Sequence, residues 1–291
     1  MIEALTPRGN HRGCHAPDPE TPLSNLLQPT PTALALLLLL ISPAVGSFLA
    51  LLVDRLPRGE SVIWPGSHCR SCDIRLRSRD LLPILSFALN RGCCRHCGAT
   101  IPSRHLYMEL AALGLALLAL ALGGSVASVA LSALILWLLL ALAICDLLWF
   151  RLPNLLSVTL MLTALAWTGL IQPGGIPPPP HLLLPHSLGE ALTGALIGVA
   201  VFWLIRIGYQ KLRGRAGLGL GDIKLMAGLG ALCGPWLLPH LMLLAALLAL
   251  AGAVIGARRG GRTLKASRAL PFGTALCTAA ALIWLLARLP H

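Results

Sequence analysis

Charged side chains are scarce in this chain of 291 residues. Asp, Glu, Lys and Arg make up 12% of it, and acidic residues are the fewest, 11 against 23 basic ones. Hydrophobic residues make up 56%, and the mean hydropathy is +0.78. Soluble domains carry about 25% charged residues, so this composition argues against a soluble globule. It indicates a polytopic membrane protein.

Apolar runs long enough to cross a bilayer, about 20 residues each, recur along the chain. We predict an all-α polytopic membrane protein with about eight transmembrane helices, of which the sixth is the weakest. The first run has no basic region before it and no convincing cleavage site, so we expect a retained helix rather than a signal peptide. The predicted spans are Thr32–Val53, His105–Leu122, Val126–Asp146, Pro153–Ile171, Ser187–Gly208, Asp222–Pro235, Trp236–Gly256 and Leu270–Ala287.

Lys and Arg concentrate in alternate loops. They occur in segment 54–104, at Arg151, in Arg206–Lys224 and in Arg258–Arg268, whereas the loops between these have none. By the positive-inside rule the basic loops are cytoplasmic, and both termini are extracytoplasmic. The net charge of +12 then reflects topology, so we expect a lipid bilayer and no nucleic acid as partner.

Two cysteine pairs lie in the one sizeable polar segment. Cys69 and Cys72 are separated by two residues, as are Cys94 and Cys97, and 21 residues lie between the pairs. This spacing predicts a structural zinc site with four thiolate ligands. Two disulfides are the alternative, but the segment is predicted to face the reducing cytosol. Cys93 could replace Cys94, although only Cys94 gives the two-residue spacing.

Four acidic residues fall inside or at the edge of predicted spans. An ionisable group at membrane depth is by default a candidate functional residue. Asp146 ends the third span and Asp222 opens the sixth, so both are predicted at the cytoplasmic boundary. Glu190 comes at the opposite face, where it favours the dipole of a helix N-terminus. Glu109 lies about a turn into the second span.

Two aspartates at one level can share a proton, so that one activates water while the other protonates a carbonyl or leaving group. This is the chemistry of an aspartic protease. Gly217, Gly219 and Gly221 precede Asp222 and would let an extended substrate approach it. The alternative is that each Asp only caps a helix or pairs with a neighbour such as Arg151.

Between Pro43 and about Leu285 the chain resembles the type IV prepilin peptidases, bifunctional leader peptidases and N-methyltransferases of bacterial pilus and type II secretion systems. The motifs that carry the resemblance are "GSFLALLVDRLP" (Gly46–Pro57), the two cysteine pairs, "RGCCRHCGATI" (Arg91–Ile101), "DLLWFRLPN" (Asp146–Asn154), "GLGDIK" (Gly219–Lys224) and "LPFG" (Leu270–Gly273).

The resemblance implies a catalytic pair, Asp146 and Asp222, that removes the leader of prepilins or pseudopilins after a glycine at the cytoplasmic face of the bacterial inner membrane. It implies methylation of the new N-terminus with S-adenosylmethionine, with Glu109 and the cysteine segment involved. It also implies the pilus or type II secretion machinery as partner. The sequence departs from the family pattern at Arg70 and Thr274, where the family usually has a proline, and at His105-Leu106, where it often has Tyr-Pro.

These observations predict four regions. They are a disordered Pro-rich tail (1–31), a first transmembrane helix (32–53), a cytoplasmic four-cysteine zinc domain (54–104) and a membrane-embedded aspartic peptidase domain (105–291). Three other functions remain open: a protease of another G-x-G-D branch, a proton-coupled transporter and an inactive scaffold of the same topology.

Overall fold

A computed structural model of the chain describes residues 31–171, 184–214, 217–259 and 271–288. Within these ranges the only regular elements are helices, which confirms the predicted all-α class. The tail up to Thr30, most of the Pro-rich loop after Ile171 and most of the Arg258–Arg268 loop fall outside the described residues. The α-helices are α1 (Pro31–Arg55), α2 (Leu85–Leu89), α3 (Arg104–Ala121), α4 (Val126–Trp149), α5 (Asn154–Leu170), α6 (Leu188–Arg213), α7 (Leu220–Arg259) and α8 (Phe272–Ala287).

The apolar helices follow the predicted spans closely. The sixth and seventh predicted spans are the two arms of α7, which is broken at Gly234, where φ is 68° and ψ is 175°. Gly234 adopts this left-handed φ without steric cost, because it has no Cβ. Helices α1, α3, α4, α6 and α7 are long and apolar enough to cross a membrane, whereas α5 and α8 are shorter. The protein is therefore a membrane protein, and its eight crossings stay a prediction.

Helix α4 forms the centre of the bundle. It is the most buried of the long apolar helices and contacts α1, α3, α5 and α8, while α7 packs against α5, α6 and α8. Many of the fully buried residues are alanines, such as Ala112, Ala133 and Ala279. Small residues let helices approach closely, which favours association in a bilayer through van der Waals contact.

Helix α8 runs antiparallel to α4 and is attached to it at both ends. At its C-terminal end Arg288 donates to Ser128 Oγ at 2.8 Å and to Ser132 Oγ. The Arg288 guanidinium also lies 4.4 Å from the ring centre of Trp167. Hydroxyl groups and an aromatic face thus satisfy this cation. Because the C-terminal end of α8 is held at the start of α4, the first turn of α8 lies at the other end of α4, beside Asp146.

The crossing of α6 and α7 depends on two glycines. A Cβ placed on Gly194 would overlap the carbonyl oxygen of Gly230 and lie 2.7 Å from Gly234 Cα. A Cβ on Gly230 would lie 2.9 Å from Ala195 Cα. Because these neighbours are backbone atoms, they cannot move aside without separating the two helices.

We therefore expect Gly194→Ala to lower the thermal stability of the purified protein in detergent. Overpacking of this kind costs about 1–3 kcal/mol. Gly208→Ala is the matched control in the same helix, since a Cβ there meets nothing within 4 Å. Equal melting temperatures for the two variants would contradict the close crossing.

Candidate functional site

Asp146 lies in the last turn of α4. The helix ends because Phe150 turns into the left-handed region (φ 51°, ψ 33°), where its N–H bonds the Asp146 carbonyl oxygen. Pro153 then precedes α5. The Asp146 side chain is only 6% exposed, so its carboxylate depends on protein donors.

Those donors come from the first turn of α8. The Thr274 backbone N–H donates to Asp146 Oδ2 at 2.7 Å, and the Thr274 hydroxyl is 3.2 Å from the same oxygen. The hydroxyl also lies 3.0 Å from the Ala143 carbonyl oxygen. Thr274 thus fixes the orientation of the carboxylate. Sequence reasoning missed this role, although it had marked Thr274 as a departure from the family pattern.

Asp222 lies in the first turn of α7 and is half-buried. Its side chain folds back over the preceding loop, since a Cβ on Gly219 would lie 3.2 Å from Asp222 Oδ2. The glycine at 219 therefore leaves room for the carboxylate beside the backbone.

The ends of three helices meet around Leu152. A Cβ on Gly221, at the start of α7, would lie 3.2 Å from Leu152 Cβ. A Cβ on Gly273, at the start of α8, would lie 3.1 Å from Leu152 Cδ1 and 2.9 Å from Asp146 Cγ. Asp146 and Asp222 are close enough to interact electrostatically. The structure therefore brings the two predicted aspartates together.

The basic residues nearest in sequence to the two aspartates bind elsewhere. Arg151 donates to the Pro57 carbonyl oxygen at 3.0 Å, and Lys224 Nζ donates to Asn154 Oδ1 at 2.9 Å. In the described part of the chain neither Asp146 nor Asp222 forms an ion pair. Pairing with Arg151, the alternative for Asp146, is not what the structure shows.

Glu190 is at the N-terminus of α6, as expected for a residue that stabilises a helix end. Its Oε2 accepts the His186 backbone N–H at 3.1 Å, and its own N–H bonds the Ser187 hydroxyl at 3.2 Å. These contacts satisfy backbone donors that a helix start leaves unpaired. Glu190 therefore has a complete structural role.

The four cysteines of the two pairs converge. The sulfur atoms of Cys69, Cys72, Cys94 and Cys97 all lie within 4.8 Å of one another. Each pair sits on the same kind of turn, in which the first Cys accepts the backbone N–H four residues later, from Asp73 at 2.9 Å and from Gly98 at 2.9 Å. Among the described residues all cysteines are free thiols.

The electrostatics of this cluster fit a cation. The Ser71 backbone N–H lowers the pKa of the Cys69 thiol to about 6. The largest single influence on the pKa of the Cys72 thiol is a backbone hydrogen bond from Ile74, which lowers it. Desolvation and the thiols of Cys97, Cys69 and Cys94 together outweigh that bond, so the pKa of Cys72 is raised to about 12. Four thiolates cannot coexist this closely without a positive charge, and tetrahedral zinc supplies it. The residues present fit that metal.

The other four cysteines that the structure describes lie outside the cluster. Cys93 points to the Arg91 carbonyl oxygen at 3.7 Å, which leaves Cys94 as the member of the pair. Cys145, Cys233 and Cys277 are buried in helices among apolar residues. They act as small packing side chains.

Glu109 belongs to a different region from the two aspartates. It is 6% exposed, on α3, and its Oε2 accepts the Ile84 backbone N–H at 2.6 Å. Helix α1 crosses α3 closely at this point, since a Cβ on Gly46 would lie 2.6 Å from Glu109 Cα. The residue predicted for methylation therefore contacts α1 and the cysteine segment, whereas the predicted catalytic pair lies on α4 and α7.

Two family descriptions match the chain. Residues 40–122 match the bacterial peptidase A24 N-terminal domain, and residues 133–254 match the type IV leader peptidase family. The first range runs from α1 through the cysteine segment to α3. The second contains both Asp146 and Asp222.

Curated relatives cover most of the chain. It is 34% identical over 274 residues to the type 4 prepilin-like proteins leader peptide-processing enzyme of Escherichia coli O78:H11, covering 87% of this chain and 94% of the relative. It is 35% identical over 233 residues to the prepilin leader peptidase/N-methyltransferase of Burkholderia pseudomallei, covering 78% and 69%. The protein of that name from Pseudomonas aeruginosa is 31% identical over 289 residues, covering 90% and 94%. No solved structure matches. The chain belongs to the type IV leader peptidase family.

Proposed function

We propose that this chain is a membrane aspartic endopeptidase that removes the leader of type IV prepilins or type II secretion pseudopilins and then N-methylates the new N-terminus. The observation that carries the proposal is the meeting of Asp146, from α4, with Asp222, from α7. The names of the relatives support both activities.

In the proposed cleavage the two carboxylates share one proton, because two like charges at short range are not both ionised. The ionised member takes a proton from water, whose oxygen attacks the scissile carbonyl carbon, while the protonated member donates to the carbonyl oxygen. The tetrahedral intermediate then breaks its C–N bond: the leaving amine takes a proton from the pair, and one hydroxyl of the intermediate returns its proton to the pair, which restores the shared proton. Thr274 keeps one carboxylate oriented throughout.

The substrate has to approach the pair as an extended backbone. Gly219 and Gly221 flank that approach without side chains, and any Cβ at Gly221 or Gly273 would press on Leu152. We propose cleavage after a glycine at the cytoplasmic face of the bacterial inner membrane, with both termini extracytoplasmic. The distribution of Lys and Arg supports this orientation, and the pilus or type II secretion machinery is the proposed partner.

The methylation half is proposed for the cysteine segment and Glu109. S-adenosylmethionine supplies a methyl group activated on a sulfonium. Zinc held by the four cysteines has a structural role, since four thiolates leave no open coordination position. The division into a zinc domain (54–104) and a peptidase domain (105–291) is part of the proposal, although the first matched range places α3 with the cysteine segment.

A transporter or an inactive scaffold of the same topology is the alternative, and the comparisons give it no support. Cleavage of a prepilin distinguishes the proposed enzyme from these alternatives directly. A transporter or scaffold would leave a prepilin uncut, whereas the proposed enzyme removes its leader.

We expect Asp146→Asn and Asp222→Asn each to reduce cleavage of a full-length prepilin in detergent by about 10²- to 10⁴-fold, because each removes half of the acid–base pair. Product masses read by mass spectrometry measure the loss of the leader. Glu190→Gln is the matched control, since Glu190 caps α6, and should cleave like wild type. Normal cleavage by either Asn variant would refute the assignment of the pair.

We expect Thr274→Val to lower kcat about 10- to 100-fold with little change in KM, because it removes a hydroxyl donor to Asp146. Hydrogen bonds to charged groups contribute about 1.5–3 kcal/mol. Thr274→Ser should restore most of the rate. Thr278→Val is the control, as that hydroxyl bonds the Thr274 and Ala275 carbonyl oxygens of its own helix. Equal rates for the two Val variants would argue against a positioning role.

We expect Cys97→Ser to abolish zinc binding by the purified protein, measured as metal per chain by mass spectrometry, because it removes one of four thiolates. Methylation should fall before cleavage does. Cys93→Ser is the neighbouring control and should keep the metal. Unchanged zinc in Cys97→Ser would count against the four-cysteine site.

A further inference from the structure

One apolar side chain, that of Leu152, borders the candidate peptidase site. It belongs to the short stretch between α4 and α5, and it is half-buried. A Cβ on Gly221, the residue before Asp222, would lie 3.2 Å from Leu152 Cβ and 3.4 Å from Leu152 Cδ1. The leucine therefore packs directly against the backbone that leads into Asp222.

The same leucine lies beside the other aspartate. A Cβ on Gly273 would lie 3.1 Å from Leu152 Cδ1, 2.9 Å from Asp146 Cγ and 3.1 Å from Asp146 Oδ2. One position is thus within contact distance of both the leucine methyl group and the carboxylate. Leu152 is therefore the apolar side chain that reaches the surroundings of both aspartates.

The backbone of Leu152 is fixed from both sides. Arg151, which precedes it, donates to a backbone carbonyl oxygen beyond the end of α1 at 3.0 Å. Asn154, two residues after it, accepts a hydrogen bond from Lys224 Nζ at 2.9 Å. Pro153 follows directly and restricts the residue before it to extended conformations. The leucine therefore forms a fixed wall, which cannot withdraw from the aspartates without breaking these contacts.

Glycine leaves the pair accessible to a peptide backbone. Gly219 is exposed, and a Cβ there would lie 3.2 Å from Asp222 Oδ2. Attack by water requires reacting atoms about 3–3.5 Å apart, so the scissile carbonyl carbon has to come close to both carboxylates. The side chain of the residue that supplies this carbonyl is attached to the neighbouring atom. That side chain therefore meets the wall formed by Leu152.

We propose that Leu152 determines specificity for glycine before the scissile bond, because its side chain occupies the space that a larger substrate side chain needs. This inference rests on the proposed peptidase function and adds the residue that selects the substrate. Leu152 carries no proton and takes no part in breaking the bond. Its effect is on which substrates are cut.

Cleavage of two full-length prepilins by the purified protein in detergent tests the proposal. They differ only in the residue before the scissile bond, glycine or alanine, and kcat/KM is measured for each. One carbon more in a tight site changes kcat/KM about 10- to 200-fold, so wild type should prefer the glycine prepilin by such a factor. We expect Leu152→Ala to reduce this preference at least fivefold. Leu152→Val, which removes one methylene, should reduce it less and gives the ratio if Leu152→Ala does not fold.

Leu155→Ala is the matched control. Leu155 lies three residues further along, in the first turn of α5, and it is 58% exposed. This variant should keep the wild-type preference within twofold. A leucine that only packs between helix ends would change the rates for both prepilins equally when it is truncated. An unchanged preference in Leu152→Ala would therefore overturn the proposal.

Two further results would overturn it. The first is a wild type that cuts both prepilins at the same rate. The second is a pair of Leu152 variants that keep the wild-type melting temperature yet cut neither prepilin, because Leu152 would then form the site instead of restricting it. A wild type that cuts neither prepilin would refute the proposed peptidase function itself. Cleavage of the glycine prepilin with an unchanged preference in the variants would refute only the role of Leu152.

Discussion

The attachment of α8 to α4 at both ends is the constraint on which the candidate peptidase site depends. Arg288 bonds the start of α4 through Ser128 and Ser132, and Thr274 bonds its end through Asp146. The Arg288 and Asp146 side chains are both bonded by neutral groups, and in the described part of the chain neither forms an ion pair. The consequence is a carboxylate held in one orientation, with Gly273 against it because no side chain fits there.

Much of this arrangement was predictable from sequence, because it follows from one-dimensional patterns. Apolar runs predict the long helices, cysteine spacing predicts the sulfur cluster, and the alternation of loops predicts Asp146 and Asp222 at one level. The role of Thr274 could not be predicted this way. It depends on which residue of α8 faces α4, and that is decided by packing between distant segments. The break of α7 at Gly234, in contrast, agrees with its sequence, since a glycine–proline pair suggests a chain break.

The cysteine segment is joined to the loop that follows Asp146. Arg58, just after α1, lies with its guanidinium 4.5 Å from the ring centre of Trp149, and Arg151 donates to the Pro57 carbonyl oxygen. The first contact reaches the end of α4 and the second the stretch after it, which contains Leu152, around which α7 and α8 begin. Two cationic side chains, Arg58 and Arg151, therefore connect the cysteine segment to the candidate peptidase site.

Two separate sites in one chain impose an order on the proposed chemistry. The amine to be methylated does not exist until the peptide bond is cut, so cleavage at Asp146 and Asp222 has to come first. Glu109, the residue proposed for methylation, belongs to α3, whereas the aspartates belong to α4 and α7. In the proposed reaction the new N-terminus therefore moves from the two aspartates to the region of Glu109 before it is methylated.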